Sequence, residues 1–219
     1  MPDLLVCHLG RVPYEEGLEL QERLRSRVQE GGPEVLLLLE HEPVYTLGRN
    51  ATAADVLLSP ARLSELGVAV RETDRGGKVT YHGPGQLVGY PVLNLSPDRR
   101  DVKRYVTDLE ETLIRTLADW GIRAERSRRP ERVTSVWVGD DKVAAIGVHL
   151  SRWITTHGFA LNVTDEPLSF FGGIVPCGIV DGGVTSMQRL LGRRLSLEEV
   201  GGAWLAHFGE VFGREIIGS

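Results

Sequence analysis

Apolar positions in the first part of the chain predict two strands with a helix between them. The run at residues 4–9 is typical of a strand, and the continuous apolar run at residues 35–39 is typical of a strand buried on both faces. Residues 13–30 carry apolar side chains one helical turn apart, and Gly31-Gly32-Pro33 supplies a helix stop.

The next stretch predicts a long loop and a short helix. The loop covers residues 41–55, with turn chemistry at Gly48 and Asn50. Ser59 is the expected N-cap of the helix, which Gly67 ends before a strand at residues 68–71.

The clearest helix covers residues 101–120. Its apolar residues form one stripe and its other face is charged, as a helix packed on a core requires. Gly121 is the expected end of this helix. The stripe consists of Val102, Tyr105, Val106, Leu109, Leu113 and Leu117.

The second half of the chain predicts a hairpin. Strands at residues 135–138 and 143–148 flank a turn at residues 139–142, and a third strand follows at residues 158–163.

A last helix is expected after the N-cap Ser196, with Glu199 completing a capping box. No internal repeat, low-complexity tract or linker interrupts the chain. We therefore expect one domain over residues 1–219, of the α/β (α+β) class, with a mixed β-sheet flanked by helices.

Charge and hydropathy narrow the class of protein. The net charge of -5 argues against general nucleic-acid binding. The longest apolar run is far short of the roughly 20 residues that cross a bilayer, and the N-terminus lacks a signal pattern. We expect a cytoplasmic protein that binds neither nucleic acid nor membrane.

Arginines are nevertheless concentrated in two places. Such clusters are either solvated faces or a docking surface for an acidic protein partner. The clusters consist of Arg23, Arg25 and Arg27, and of Arg123, Arg126, Arg128, Arg129 and Arg132.

A glycine-rich segment at residues 75–86 suggests the wall of a binding site, because glycine lets a ligand approach the backbone closely. A dinucleotide fingerprint is rejected, since Gly83, Gly85 and Gly89 are spaced one residue too far and no helix pattern follows. A structural loop with a β-bulge remains the alternative.

A second candidate segment runs from Lys142 through residues 145–149 to residues 157–162. Its small residues on neighbouring strands leave room for a ligand, although a lysine at a hairpin turn is ordinarily a solvated charge.

The two cysteines have different contexts. Cys7 lies in a strand-like run and is expected to be a core residue, whereas Cys177, between Pro176 and Gly178, is placed for reactivity. A metal site or a cysteine-protease arrangement with distant histidines stays open, although no metal-ligand spacing is present.

These motifs together resemble the octanoyltransferases, also called lipoyl(octanoyl) transferases, over nearly the whole chain. The matching segments, in order and separation, are residues 75–86, 142–147, 157–163, 176–178 and 185–187. The resemblance implies the fold of the catalytic domains of lipoate and biotin protein ligases.

The resemblance also implies residue roles. Cys177 is the implied acyl-accepting nucleophile and Lys142 its catalytic partner. The implied acyl-binding residues are Arg75, Gly76, Gly77, Lys78, Val79, Thr80, Tyr81, His82, Ala145, Ile146, Gly147, Gly158, Phe159 and Ala160.

The implied donor is an octanoyl-acyl carrier protein. The implied acceptors are lipoyl domains of 2-oxoacid dehydrogenase E2 subunits and the glycine cleavage H protein. No cofactor or metal is expected, because a thioester already carries the free energy for amide formation. The alternatives are an ATP-dependent lipoate-protein ligase, a thiol hydrolase and an inactive lipoyl-carrier binding protein.

Overall fold

The computed structural model describes residues 2–97, 99–127, 134–175 and 183–218. The strands are β1 (Asp3–Val12), β2 (Glu34–His41), β3 (Val44–Leu47), β4 (Ala69–Glu72), β5 (Val79–His82), β6 (Gln86–Val92), β7 (Glu125–Arg126), β8 (Ser135–Val138), β9 (Asp141–Ser151), β10 (Ile154–Asn162), β11 (Gly183–Val184) and β12 (Glu215–Ile217). The helices are α1 (Tyr14–Gln29), α2 (Pro60–Glu65), α3 (Val102–Asp119), α4 (Met187–Leu191) and α5 (Leu197–Phe212). Two 3-10 turns cover Ala53–Asp55 and Glu166–Gly173.

The main sheet has the strand order β12-β1-β2-β6-β10-β9-β8-β7, and β11 pairs with β9 outside this path. Strand β1 is parallel to β12 and β2, and each pair from β2 through β6, β10, β9, β8 and β7 is antiparallel. The mixed sheet and its flanking helices confirm the predicted fold class.

Alternation along the strands sorts their side chains onto two faces of this sheet. On one face, α3 and α5 cover a core in which Leu109, Leu113 and Trp204 are fully buried. On the other face, α1 contributes Leu24 and Val28 to a second core cluster. Complete burial of each such side chain contributes about 1.5–3 kcal/mol, so both helices are held firmly on the sheet.

A smaller sheet of order β4-β3-β5 holds the glycine-rich segment against the main sheet. Tyr45, Leu47 and Tyr81 are buried in its own cluster. The backbone N–H of Gly76 donates to the carbonyl of Val148 at 3.0 Å, which joins the segment before β5 to β9.

Most predicted helices are present, and Ser59 and Ser196 are N-caps as predicted. The Asp101 carboxylate accepts from the Arg104 N–H at 3.0 Å at the start of α3, and Ser59 Oγ accepts from the Arg62 N–H at the start of α2. Ser196 Oγ accepts from the Glu199 N–H at 3.0 Å, which is half of the predicted capping box. The stripe on α3 is buried except near its start, where Val102 is 43% exposed.

Two predictions about loops are wrong. The predicted loop at residues 41–55 contains β3, whose four residues are all buried and too few to show a period. The hairpin turn is shorter than predicted, because Lys142 already pairs with Trp137 inside β9. The segment at residues 75–86, for which a structural loop is the alternative interpretation, includes the whole of β5.

The prediction that Cys7 is a core residue is also wrong, because Cys7 is exposed. Its neighbours Leu4 and Val6 point into the main core, so alternation sends Cys7 to the opposite face of β1. There α1 packs mainly on β10, β6 and β2, and leaves β1 uncovered at this point.

Candidate functional site

A cavity of about 410 Å³ lies between the glycine-rich segment and the main sheet. This volume falls in the range typical of sites for small ligands. It brings together, from three distant parts of the chain, all but one of the described residues to which the family resemblance gives a role. Those lining it are Arg75, Gly76, Gly77, Lys78, Val79, Thr80, His82, Lys142, Ala145, Ile146, Gly147, Gly158, Phe159 and Ala160.

Small residues of β9 and β10 leave the space for this cavity. Ala145 pairs with Ala160, and Gly147 pairs with Gly158. Directly paired residues of antiparallel strands share one face, so these four positions form a trough without large side chains. Phe159 alternates to the other face and packs on Trp204, with ring centroids 4.5 Å apart.

The opposite wall, residues 75–78, is fixed by hydrogen bonds. The Arg75 guanidinium donates from Nη2 to the carbonyl and to Oγ1 of Thr46, each at 2.7 Å. The Asn50 N–H donates to the Gly77 carbonyl at 3.1 Å. A Cβ at Gly48 would come within 2.6 Å of the same carbonyl oxygen, so only glycine allows this approach. Gly77 itself has a φ of 88°, which favours glycine.

Lys142 lies at the cavity on β9, between β8 and β11. It is half-buried, and its Nζ lies 5.2 Å from the ring centroid of Trp137, within cation–π range. Its backbone carbonyl accepts from the Thr185 N–H at 2.9 Å, and Val184 is its partner in the parallel pair of β11 and β9. Lys142 is therefore a strand residue with a fixed backbone rather than the solvated turn charge of the alternative interpretation.

The predicted nucleophile Cys177, with Pro176 and Gly178, lies outside the described residues. The described chain on its N-terminal side ends at Val175, whose N–H donates to the Asp55 carbonyl at 2.9 Å. On its C-terminal side, the described chain resumes at Gly183, which pairs with Asp141 directly beside Lys142.

Tyr81 is the predicted acyl-site residue that does not line the cavity. Its ring is fully buried and stacks on Phe170 at a centroid distance of 4.5 Å. Burial raises the pKa of its hydroxyl above the ordinary value. Its side chain packs in the buried cluster of the smaller sheet.

Sequence reasoning missed several residues that line the cavity. Tyr14 and Tyr90 are each almost completely buried there, and Val102 and Val106 reach it from the start of α3. An aromatic residue in a strand or helix start ordinarily indicates core packing, so no local signal marks the tyrosines. The exposed beginning of an otherwise buried stripe is the one signal that marks Val102.

Asp74 and His157 form a hydrogen-bonded pair next to the wall. His157 Nε2 and Asp74 Oδ1 are 2.8 Å apart, and His149 Nε2 lies 3.5 Å from Asp74 Oδ2. The hydrogen bond with His157 lowers the pKa of Asp74 to about 2. Burial lowers the pKa of His157, although Asp74 opposes that shift. At neutral pH the carboxylate is therefore charged and the His157 ring neutral.

A second buried pair joins His41 and Tyr90. His41 Nδ1 lies 3.0 Å from the Val12 carbonyl, which only accepts, so Nδ1 carries the proton. His41 Nε2 then accepts from the Tyr90 hydroxyl at 2.7 Å. Burial lowers the pKa of His41 to about 4, so this ring is neutral at physiological pH.

Backbone donors for an oxyanion are restricted by the sheet. The N–H of Gly76 is bonded to Val148 and that of Ile146 to the Thr134 carbonyl at 3.1 Å. These two N–H groups are therefore already occupied by hydrogen bonds within the protein. Gly178 lies outside the described residues.

The arginine clusters are partly paired within the chain. Arg126 contacts Glu110 at 3.2 Å and Glu111 at 2.7 Å, and Arg25 pairs with Glu22. These arginines belong at least in part to ordinary ion pairs. Arg128, Arg129 and Arg132 lie outside the described residues.

Membrane-spanning helices and groups of metal-binding side chains are both absent from the part of the chain that the structure describes. No helix there is long and apolar enough to cross a membrane. No group of three or more His, Cys, Asp or Glu side chains there is arranged to hold a metal ion.

The sequence matches a protein family described as the lipoyl protein ligase A/B catalytic domain over residues 13–209. An octanoyltransferase of Solibacter usitatus is 52% identical over 218 residues, which cover 99% of this chain and 96% of that protein. An octanoyltransferase of Myxococcus xanthus is 52% identical over 222 residues, covering 98% of this chain. The chain spans 61% of the length of the Myxococcus protein.

Solved structures confirm the predicted fold. Lipoate-protein ligase A bound with ATP superposes with a TM-score of 0.80 at 18% identity, covering 100% of this chain and 90% of that one. A bi-partite lipoate protein ligase of Thermoplasma acidophilum gives 0.73 at 18% identity, covering 100% and 88%. The biotin protein ligase of Aquifex aeolicus gives 0.55 at 16% identity, covering 97% and 70%. From its sequence relatives, the chain belongs to the octanoyltransferases, acyltransferases of protein lipoylation within the lipoyl protein ligase A/B catalytic-domain family.

Proposed function

We propose that this enzyme moves an octanoyl group from an acyl carrier protein thioester to a lysine of a lipoyl domain, through a thioester on Cys177. The observation that carries the proposal is the shared cavity. Lys142 lines the same space as residues 75–80 of the wall and residues 145–147 and 158–160 of the trough. A charged amine beside a trough for an apolar chain is what acyl transfer to and from a thiolate requires.

The first half-reaction acylates the cysteine. The Cys177 thiolate attacks the carbonyl carbon of the donor thioester. The tetrahedral intermediate then collapses, the bond from the carbonyl carbon to the carrier sulfur breaks, and the carrier thiolate leaves and takes a proton from solvent. An ammonium about 4 Å from a thiolate, at an effective dielectric near 20, contributes roughly 4 kcal/mol. Lys142 in its protonated form therefore favours the reactive thiolate of Cys177.

The second half-reaction transfers the acyl group to the acceptor. Acylation removes the negative charge of the thiolate, so Lys142 loses the partner that favours its protonated form. Lys142 then releases its proton to solvent and accepts one from the attacking lysine of the lipoyl domain. An amide forms, the carbon–sulfur bond breaks, and the Cys177 thiolate is regenerated.

The cavity supplies affinity for the chain. The seven carbons beyond the carbonyl contribute on the order of 5 kcal/mol when buried, at about 0.8 kcal/mol each. One methylene more or fewer changes this sum little, so discrimination among similar lengths is graded.

The acceptors proposed are lipoyl domains of 2-oxoacid dehydrogenase E2 subunits and the glycine cleavage H protein. The bi-partite ligase from Thermoplasma acidophilum was described together with its E2 lipoyl domain, which supports an acceptor of this kind. The carrier protein as donor rests on the family resemblance of the motifs.

Intact-protein mass spectrometry tests the covalent route. The enzyme is mixed with octanoyl carrier thioester, and an apo lipoyl domain is then added. We expect an octanoyl adduct that hydroxylamine removes and that the acceptor discharges. Cys177→Ala should form no adduct. Cys7→Ala is the matched control, because Cys7 is the other cysteine and is exposed, and this variant should behave like the wild type.

The alternatives give different products in the same experiment. Acceptor modification only from octanoate plus ATP would indicate a ligase. Release of free octanoate without acceptor modification would indicate a hydrolase. An adduct that persists in Cys177→Ala and vanishes in Cys7→Ala would mean that the labelled thiol is the exposed one, and the proposal would be wrong.

A further inference from the structure

Four buried aromatic rings form one end of the cavity. Tyr14, His82, Tyr90 and His157 line it, and none is more than 6% exposed. Tyr14 and His82 stack at a centroid distance of 6.1 Å, and Tyr90 meets His157 edge-on at the same distance. We call this group the aromatic end wall.

Lys142 and the aromatic end wall lie at opposite ends of the cavity. At Lys142, β9 pairs with Trp137 of β8 on one side and with Val184 of β11 on the other. Gly158, two strands away from β8, packs against Gly89 and Pro91, on either side of Tyr90. From Lys142 to Gly147, the partner of Gly158, β9 rises by about 16 Å. An acyl chain whose carbonyl lies at Lys142 therefore extends along the trough toward Tyr90.

The two tyrosine hydroxyls of the end wall are already engaged with the protein. The Tyr90 hydroxyl is bonded to His41 at 2.7 Å, and the Tyr14 hydroxyl donates to Thr73 Oγ1 at 3.2 Å. His157 Nε2 is bonded to Asp74. What the tyrosines present to a ligand is ring surface, which suits a methyl terminus better than a polar group.

The rings are also held rigidly. Tyr14 meets His41 edge-on at 5.0 Å, and a Cβ at Gly17 would come within 2.9 Å of the His41 ring, so α1 presses closely on this group. A close-packed wall yields little to a longer chain, because overpacking forces side chains from their rotamers.

We propose that Tyr14 and Tyr90 are the end stop that limits the length of the acyl chain. This inference rests on the proposed function, because it takes the cavity to be the acyl site. Binding tightens as the chain grows toward the wall and stops tightening when the methyl terminus reaches the rings.

Fatty-acid binding tests the end stop without requiring transfer. In a Cys177→Ala background, octanoate, decanoate, dodecanoate and tetradecanoate displace a fluorescent fatty acid. The Cys177→Ala protein with both tyrosine rings in place should bind decanoate no more tightly than octanoate. Tyr90→Leu opens space, so each added methylene should tighten binding about fourfold until the space is filled, and decanoate should bind about fifteenfold more tightly than octanoate. Tyr14→Leu should shift the profile in the same direction.

Two controls separate ring volume from other effects. Tyr90→Phe keeps the ring and loses the bond to His41, so it should keep the length profile of the background. Tyr105→Leu removes a buried tyrosine that does not line the cavity, and it should also keep that profile. Urea unfolding curves verify that each variant is folded.

A length profile unchanged in both Tyr90→Leu and Tyr14→Leu overturns the end stop. An equal shift in Tyr90→Phe or Tyr105→Leu overturns it as well, because ring volume at the wall is then not the cause. Failure of the background protein to bind any of the acids is the separate result that counts against the cavity as the acyl site.

Discussion

The carboxylate of Asp74 and Nε2 of His157 are 2.8 Å apart, and this hydrogen bond joins the segment before Arg75 to strand β10 of the main sheet. Arg49 adds a bond from Nε to the Asp74 carbonyl at 2.7 Å and contacts His149. The wall at residues 75–78 is thus fastened to the same strands that form the trough. Asp74 is a positioning residue, since it does not line the cavity.

Asp74→Asn should loosen this wall. The amide oxygen of asparagine accepts from His157 more weakly than a carboxylate does, at a cost of about 0.5–1.5 kcal/mol. The apparent KM for the octanoyl donor should therefore rise about three- to tenfold, with little change in kcat. Asp119→Asn is the matched control, because Asp119 makes a 2.8 Å contact with His207 away from the cavity. Equal KM values for the two variants would contradict the positioning role.

The buried histidines should make stability depend on pH. His41 has a pKa lowered from 6.5 to about 4, so the folded state favours the neutral ring. The stabilisation is complete above pH 6.5 and is lost as pH falls from 6.5 toward 4, by about 3 kcal/mol at most. His82 and His157, whose pKa values are also lowered, change stability in the same direction.

Urea unfolding between pH 7.5 and 4 measures this dependence. His41→Gln should have a lower free energy of unfolding at pH 7.5 but lose less of it on acidification. His8→Gln is the control, because His8 lies on the exposed face of β1. On acidification it should lose as much free energy of unfolding as the wild type. If the free energy of unfolding of His41→Gln fell with pH as steeply as that of the wild type, His41 would not be a source of the acid sensitivity.

The fold was predictable where one pattern dominates a long segment. Helix α3 has an uninterrupted stripe and a capping Asp101, and β2 has a continuous apolar run, so both were found. Strand β3 was missed because four buried residues show no period. Alternation assigned Cys7 to one face of β1, but whether a helix covers that face depends on where α1 crosses, which is a tertiary matter.

The candidate site was predictable only as far as family motifs reach. The motifs named the trough residues 145–147 and 158–160 and the wall residues 75–80, which the fold brings to one cavity. Tyr14 and Tyr90 carry no motif, and their meeting depends on contacts between distant segments. Tyr81 lies inside a motif but alternates into the smaller core.

Two glycines of the trough should respond differently to alanine. A Cβ at Gly158 would come within 2.1 Å of the Gly89 carbonyl oxygen, so strands must shift, and Gly158→Ala should lower the free energy of unfolding by about 1–3 kcal/mol or more. A Cβ at Gly147 would lie 3.1 Å from the Gly76 carbonyl oxygen, a closer contact than usual but one that a small shift relieves.

Gly147→Ala should therefore change stability by less than about 1 kcal/mol while weakening acyl binding, because the methyl group enters the trough. Urea unfolding and fatty-acid displacement measure the two effects. Gly202→Ala, in open space on α5, should be stabilising by about 0.5–1 kcal/mol and leave binding unchanged. Equal losses of stability at Gly147 and Gly158 would contradict the geometry.

Lys142→Arg separates the two roles proposed for Lys142. Arginine keeps the positive charge that favours a thiolate but does not deprotonate in proteins, so it cannot accept the proton from the acceptor lysine. Loss of a general base costs about 10²–10⁴ in rate. Acylation of Cys177 should therefore remain within about tenfold of the wild type, while discharge onto the lipoyl domain slows by at least about a hundredfold.

Mass spectra of quenched reactions should show the octanoyl enzyme accumulating in Lys142→Arg before any product forms. Lys103→Arg, an exposed position at the start of α3, is the matched control and should discharge at the wild-type rate. Full discharge in Lys142→Arg would eliminate the base role, because a permanently protonated guanidinium could not have taken the proton. A defect confined to acylation would instead limit Lys142 to stabilising the thiolate, since the second step would then proceed without it.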